Sequence, residues 1–194
     1  MILPPAIQKP LIDIIPLLTT AVIAPHGMTD LIHAETNDKV LPLFRINLLC
    51  VAGAVVLHML NMDLMTNLAF MTSSAIHFRH DFPIKNEFLK ICASSMLVMN
   101  SRQIGTELFI CYMCFIHVPN HYKIYKQMIK DNFGKSGAYI GLCAIVSTLY
   151  FYSDPNIMQN DNLFVLSQAL IISHIVYEEL YTKNNTALST RLID

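Results

Sequence analysis

Seven apolar stretches, each bounded by polar residues, proline or glycine, occupy most of this 194-residue chain. A transmembrane helix needs roughly 20 mostly apolar residues. Most of the stretches approach that length, while the fourth is short. The sequence therefore predicts an all-α, polytopic integral-membrane helical bundle with six or seven transmembrane helices. The stretches are residues 11–30, 41–60, 62–80, 88–101, 104–121, 136–152 and 162–182.

The composition points in the same direction. Only 14% of the residues are charged, whereas soluble domains carry about 25%. The net charge of −1 comes without a basic stripe or a nucleic-acid-reading motif, so no nucleic-acid partner is expected. The alternative is a large soluble all-α protein, but no stretch offers the broad charged face that a soluble surface helix needs. We expect a multi-pass protein of the lipid bilayer, with residues 1–182 as a single transmembrane helical domain and 183–194 as a polar C-terminal tail.

The charges of the connecting loops predict an orientation, because lysine and arginine are enriched in cytoplasmic loops. The loops at residues 80–90 and 120–135 are rich in lysine, whereas the loop at 152–162 has aspartates and no cation. This places the first two loops inside, the third outside and the N-terminus outside. The loop at 35–39 is net acidic although it is predicted to be inside. The first stretch lacks the basic leader of a cleavable signal, so we expect it to be retained.

Histidines recur where three of these stretches end. If the seven stretches alternate in direction, then the first, third, fifth and seventh run the same way and end in the same leaflet. Six of the eight histidines then lie at one depth, with His174 a turn or two deeper in the seventh stretch and His58 toward the opposite face. The six are His26, His33, His77, His80, His117 and His121.

Several imidazoles at one depth in a membrane indicate a metal site. Polar side chains at membrane depth usually mark function, and neutral imidazole suits iron, zinc, copper and nickel. His117 and His121 are separated by four residues, which places both on one helical face, although Pro119 between them predicts a kink. Ligating imidazoles usually donate their other N–H to a carboxylate or carbonyl.

Carboxylates for that supporting role follow the histidines in sequence. Asp30 lies four residues after His26, and Asp81 lies four residues after His77. This repeated spacing puts each acid about one helical turn from a histidine, where a second shell of hydrogen bonds to the ligands is expected. Two further candidates end the seventh stretch, namely Glu178 and Glu179.

Three short motifs carry a family resemblance. They are "APHGMTD" at residues 24–30, "SSAIHFRHD" at 73–81 and "HVPNH" at 117–121. Their order resembles the histidine motifs of the Brp/Blh-type β-carotene dioxygenases, which are integral-membrane enzymes, and the resemblance spans roughly the first two-thirds of the chain. It implies cleavage of β-carotene by O2 at its central double bond to give two retinal molecules. It also implies Fe(II) as the cofactor, held by His26, His77, His117 and His121 as metal ligands and catalytic residues.

A long hydrocarbon substrate would need an apolar tunnel. Methionine and phenylalanine side chains of the stretches are candidates for its walls, although ordinary packing or contact with lipid is the simpler interpretation for most of them. The candidates are Met59, Met62, Met65, Phe70, Phe78, Met96, Met99, Met113 and Phe115.

Three other functions fit the same residues. A member of the same family can bind a carotenoid or retinoid without cleaving it. A membrane transporter or proton conductor can use protonatable histidines, and it predicts pH-dependent flux without bound iron. A di-iron membrane desaturase or hydroxylase also uses helical histidine pairs, and two irons per chain instead of one would distinguish it.

Overall fold

The computed structural model describes residues 17–100, 106–153 and 161–182. Within these ranges all regular secondary structure is helical, which confirms the prediction of an all-α fold. The C-terminal tail and the acidic loop from residue 154 to 160 lie outside the described residues. The α-helices are α1 (Ala24–His26), α2 (Met28–Thr36), α3 (Val40–Met59), α4 (Asp63–Phe78), α5 (Glu87–Asn100), α6 (Thr106–Tyr112), α7 (Val118–Ile124), α8 (Lys126–Asp131), α9 (Phe133–Ser153) and α10 (Asp161–Tyr177).

The helices follow the apolar stretches of the sequence closely. Helices α3, α4, α5, α9 and α10 each cover one stretch within a few residues. Of the described helices, only α3 is both long enough and apolar enough to cross a membrane by itself, and 11% of its most apolar part is buried inside the protein. An all-helical fold is therefore established, while the number of membrane crossings remains a prediction.

Two tight turns reverse the chain on either side of α3. Asp38 in the turn before α3 has φ 56°, and Asn61 in the turn after it has φ 57°. Aspartate and asparagine tolerate this left-handed conformation better than other residues with a side chain. The turns bring α2 and α4 into contact with α3.

Helix α10 packs extensively against α3 and α4. The contact with α3 is formed by small side chains, since Ala54 and Ala169 are buried against Val165. Polar groups also join the helices, because the Ser173 hydroxyl donates to the Asn47 amide oxygen at 2.8 Å. Close packing of small residues together with interhelical hydrogen bonds is typical of helices that associate in lipid.

Within the described residues, three π-helical turns interrupt the helices, at Thr19–Ile23, Met113–His117 and Glu178–Thr182. Proline follows the first two turns at Pro25 and Pro119. Proline has no N–H to donate to the preceding turn and its ring clashes with the carbonyl four residues earlier. A wider turn relieves this clash, and such turns occur frequently at functional sites. The helical turns are thus wider than in an α-helix just before His26 and in the segment that ends at His117.

A polar contact fixes the start of α9 against the end of α2. Lys135 forms an ion pair with Glu35, and the Tyr139 hydroxyl donates to the same carboxylate at 3.0 Å. The hydrogen bond from Lys135 lowers the pKa of Glu35. Helix α9 also packs against the π-helical turn at Thr19–Ile23 and against α1, which positions the segment carrying His26.

The interhelical hydrogen bond of Ser173 predicts a measurable loss of stability. Ser173→Ala removes the donor to Asn47 and leaves the half-buried Asn47 amide oxygen without this hydrogen bond. We expect the free energy of unfolding to fall by about 0.5–1.5 kcal/mol. The matched control is Ser73→Ala, because the Ser73 hydroxyl bonds only to the Phe70 carbonyl of its own helix. Equal unfolding free energies for the two variants would contradict the role of this contact.

Candidate metal centre

Five imidazoles from five separate segments meet in the interior of the helical bundle. The ring centre of His26 lies 5.5 Å from that of His117, 5.2 Å from that of His121 and 5.0 Å from that of His174. The ring centre of His77 lies 5.0 Å from that of His117 and 5.6 Å from that of His174. We call these five residues the histidine cluster.

The histidine cluster contains all four residues that the sequence motifs single out as ligands. His26, His77, His117 and His121 are buried. They are brought together by the C-terminal end of α1, the C-terminal end of α4, the π-helical turn before α7 and α7 itself. The sequence predicts such a meeting if these helices run in the same direction and end at the same level.

The fifth imidazole belongs to a residue that the motifs do not include. His174 was expected one or two turns deeper than the others, but its ring centre lies 5.3 Å from that of His121. The position of a residue along a helix does not reveal how that helix is shifted relative to its neighbours. In the folded chain, His174 before the end of α10 meets His26 at the end of α1 and His77 at the end of α4.

Carboxylates hold two of the rings at Nδ1. His117 Nδ1–H donates to Asp81 Oδ2 at 2.8 Å, and His174 Nδ1–H donates to Asp30 Oδ2 at 2.7 Å. Both acids were predicted to support the ligands, but from their spacing in sequence they were assigned to His26 and His77. Each instead reaches across to a histidine of another segment.

Neutral oxygens hold two further rings at Nδ1. His26 Nδ1–H donates to the Ile23 carbonyl in the π-helical turn. This carbonyl is accessible because the Gly27 N–H, which an α-helix would direct to it, bonds to the Pro25 carbonyl. The Thr29 hydroxyl donates to the His26 carbonyl at 2.7 Å and lies 3.4 Å from His121 Nδ1, from which it accepts.

These four bonds select one tautomer for each ring. A neutral imidazole that donates through Nδ1 carries its lone pair on Nε2. His26, His117, His121 and His174 therefore offer Nε2 as a metal ligand, which is the arrangement that outer hydrogen bonds impose on ligating histidines.

Asp81 is held by three donors at once. Besides the bond from His117, it accepts from the Tyr112 hydroxyl at 2.5 Å and from the Asn120 amide at 3.3 Å. Burial opposes the ionisation of Asp81, but the hydrogen bonds from His117, Tyr112 and Asn120 outweigh this effect and lower its pKa. A charged Asp81 is thus fixed against the ring that it orients.

Glu178 lies against the histidine cluster with its side chain 1% exposed. Its Oε2 lies 3.3 Å from His77 Nε2, 3.4 Å from His121 Nε2 and 4.0 Å from His174 Nε2. Glu178 Oε2 and His121 Nε2 are both buried and neither has a hydrogen-bond partner among the described residues. Buried polar atoms without hydrogen bonds indicate an ion or a water at that position.

The donor atoms fit a metal ion. His77, His174 and Glu178 each offer one ligand atom, and these three atoms lie within 4.8 Å of one another. Imidazole nitrogen and carboxylate oxygen together suit divalent transition metals, iron(II) among them. The sequence predicts Glu178 only as a possible hydrogen-bond partner of the ligating histidines. The structure instead places its carboxylate beside their Nε2 atoms.

The other histidines lie apart from this arrangement. His33 Nδ1 is 3.0 Å from the Tyr177 hydroxyl, and His80 is partly exposed and 3.6 Å from Glu179. His58 pairs with Asp63 at 2.8 Å in the turn between α3 and α4. His33 and His80 thus end the predicted segments without joining the histidine cluster.

The candidate tunnel residues divide into two groups. Phe78 and Met113 are buried together with Val98 and Tyr112, and the ring centre of Phe78 lies 4.8 Å from that of His117. Most of the others are exposed at the surface, namely Met59, Met62, Met65, Met96, Met99 and Phe115. Only the first group therefore lies close to the histidine cluster.

No protein-family model, curated protein or solved structure matches this chain. The function is therefore inferred from the residues of the histidine cluster and their surroundings.

The bond between Asp81 and His117 predicts an effect on metal binding. Asp81→Asn replaces a charged acceptor by a neutral amide and weakens control of the His117 tautomer. Loss of such an outer partner typically lowers metal affinity 10- to 100-fold, and we expect a loss in this range when the purified chain is titrated with iron(II). The control is Asp63→Asn, which alters a similar histidine–aspartate pair outside the histidine cluster. Equal affinities of the two variants would contradict the assigned role.

Proposed function

We propose that this chain is a membrane-embedded iron(II) dioxygenase that cleaves β-carotene, or a related carotenoid, at its central double bond to give two molecules of retinal. The observation that carries the proposal is the convergence of His26, His77, His117 and His121, which three separate sequence motifs supply. These motifs resemble those of the Brp/Blh-type family, in which four histidines hold iron.

The distribution of side chains supports a location in the lipid bilayer. Large apolar residues face outward, such as Leu49, Met59 and Leu149, which are 72%, 76% and 65% exposed. The interior holds an unusual share of polar groups, including the histidine cluster, Asp30 and Glu178. A soluble protein rarely exposes large contiguous apolar patches, whereas lipid tails cover such a surface without cost. A carotenoid dissolved in the bilayer would reach this protein laterally.

The residues of the site support a role in oxygen chemistry. When bound, iron(II) supplies the binding and activation of dioxygen. The chain supplies Nε2 atoms as metal ligands in fixed positions. The opposite ring nitrogens are held by hydrogen bonds to Ile23, Thr29, Asp30 and Asp81. The reaction breaks the central carbon–carbon double bond and forms two carbonyl groups, each taking one oxygen atom of O2, so no further reductant is required.

The apolar side chains next to His117 support a hydrocarbon substrate. The rings of Phe78 and Tyr112 lie next to the His117 ring and pack together with Met113. They shield the His117 ring from water and offer only apolar surface and one hydroxyl that is already hydrogen-bonded. A polyene can pack against such a surface, whereas a charged substrate would lose its hydration without replacement.

Replacing the four motif histidines tests the proposal. In a bacterial host that produces β-carotene, the wild-type chain should remove the orange colour and form retinal. Replacement of His26, His77, His117 or His121 singly by alanine should abolish retinal formation, measured by chromatography of cell extracts, while the protein still accumulates in membranes.

The control for this experiment is His58→Ala, because His58 pairs with Asp63 away from the histidine cluster. This variant should form retinal at a rate close to that of the wild type. Absence of retinal with the wild-type chain, or retained retinal after loss of any two motif histidines, would contradict the proposal.

A further inference from the structure

The four motif histidines leave two groups of the site without a role. His174 lies in the last turn of α10, and Glu178 begins the π-helical turn that follows it. The two residues are four positions apart, which places them on one helical face. His174 contributes a fifth imidazole, and Glu178 contributes the carboxylate nearest to the Nε2 atoms. Neither belongs to the three sequence motifs.

Glu178 lies where a metal ligand would lie, and not where a carboxylate that only orients a ligating histidine would lie. Outer carboxylates of this site, Asp30 and Asp81, contact the Nδ1 atoms at 2.7 and 2.8 Å. Glu178 Oε2 instead lies near the Nε2 atoms of His77, His121 and His174. In His121 and His174 the Nδ1 bonds leave Nε2 free to bind a metal. The carboxylate therefore lies on the same side of the rings as the ion that they would bind.

The burial of an ionised Glu178 also favours a positive partner. Among the described residues, no lysine or arginine lies within ion-pair distance of its carboxylate, and its neighbours are three imidazoles. An ionised carboxylate without a compensating charge is strongly disfavoured in an apolar interior. A divalent cation bound by the same imidazoles offsets this cost without any other change in the site.

We propose that His174 and Glu178 are metal ligands, and that together with His77 they hold the ion as a set of two imidazoles and one carboxylate. Sites of this composition with open positions are typical of non-haem iron(II) oxygenases. An octahedral ion bound by these three groups keeps three positions, which the other imidazoles, water and dioxygen can share. The inference rests on the metal site of the proposed function and changes its ligands from four histidines to a set that includes a carboxylate.

Iron binding by the full-length chain tests the inference without any measurement of activity. The wild type, Glu178→Gln and His174→Ala are purified in detergent and titrated with iron(II) without oxygen, and bound iron per chain is measured by mass spectrometry. Loss of an outer partner already lowers metal affinity at least about tenfold, so loss of a ligand should lower it by tenfold or more in each variant. Helix content and a monodisperse elution profile establish that each variant is folded.

The matched control is Glu87→Gln, which makes the same chemical change at a carboxylate outside the histidine cluster. The Glu87 side chain is 65% exposed and pairs with Lys90 of its own helix at 2.7 Å. This variant should bind iron as the wild type does. If Glu178→Gln does not fold, His174→Ala carries the test, because the four-histidine set does not use His174.

The outcomes separate this inference from the proposed function. A wild-type chain that binds no iron contradicts both. A wild-type chain that binds iron, with folded Glu178→Gln and His174→Ala variants that bind it equally well, contradicts the inference alone and leaves the four-histidine set. A loss in Glu87→Gln as large as that in Glu178→Gln also overturns the specific role of Glu178.

Discussion

The proposed metal site depends on hydrogen bonds made at the ring nitrogens that face away from it. A histidine side chain can rotate and can carry its proton on either nitrogen, so several histidines in one place do not form a site by themselves. Here Nδ1–H of His117 and His174 is held by Asp81 and Asp30, and that of His26 and His121 by a carbonyl and a hydroxyl. The Nε2 atoms are thereby fixed before any ion arrives, which lowers the entropic cost of binding it.

The same need for fixed rings explains why the helices are irregular near the site. Pro25 and Pro119 prevent a regular α-helix, and the chain responds with wider turns at Thr19–Ile23 and Met113–His117. The first of these turns contains the Ile23 carbonyl, which accepts a hydrogen bond from the His26 ring. A regular helix would direct that carbonyl to its own backbone. The irregular helices are therefore part of the ligand support.

Much of the fold and part of the site follow from local sequence patterns. Apolar stretches predict the helices, and histidines at stretch ends predict that His26, His77 and His117 meet, because helices of one direction end at one level. The role of His174 was not predictable, since the shift of α10 along its neighbours depends on packing between distant residues. Asp30 and His174 are 144 residues apart, so their bond leaves no spacing signal, and within-helix spacing assigned both aspartates to the wrong rings.

The central claim is that an ion binds at the Nε2 atoms of the histidine cluster. X-ray absorption spectroscopy of the iron-loaded protein tests it most directly, because imidazole ligands produce a characteristic multiple-scattering pattern and cysteine ligands a longer iron–sulfur shell. The account predicts a shell of nitrogen and oxygen atoms with strong imidazole scattering and no sulfur. Iron without imidazole scattering, or iron bound through sulfur, would contradict it.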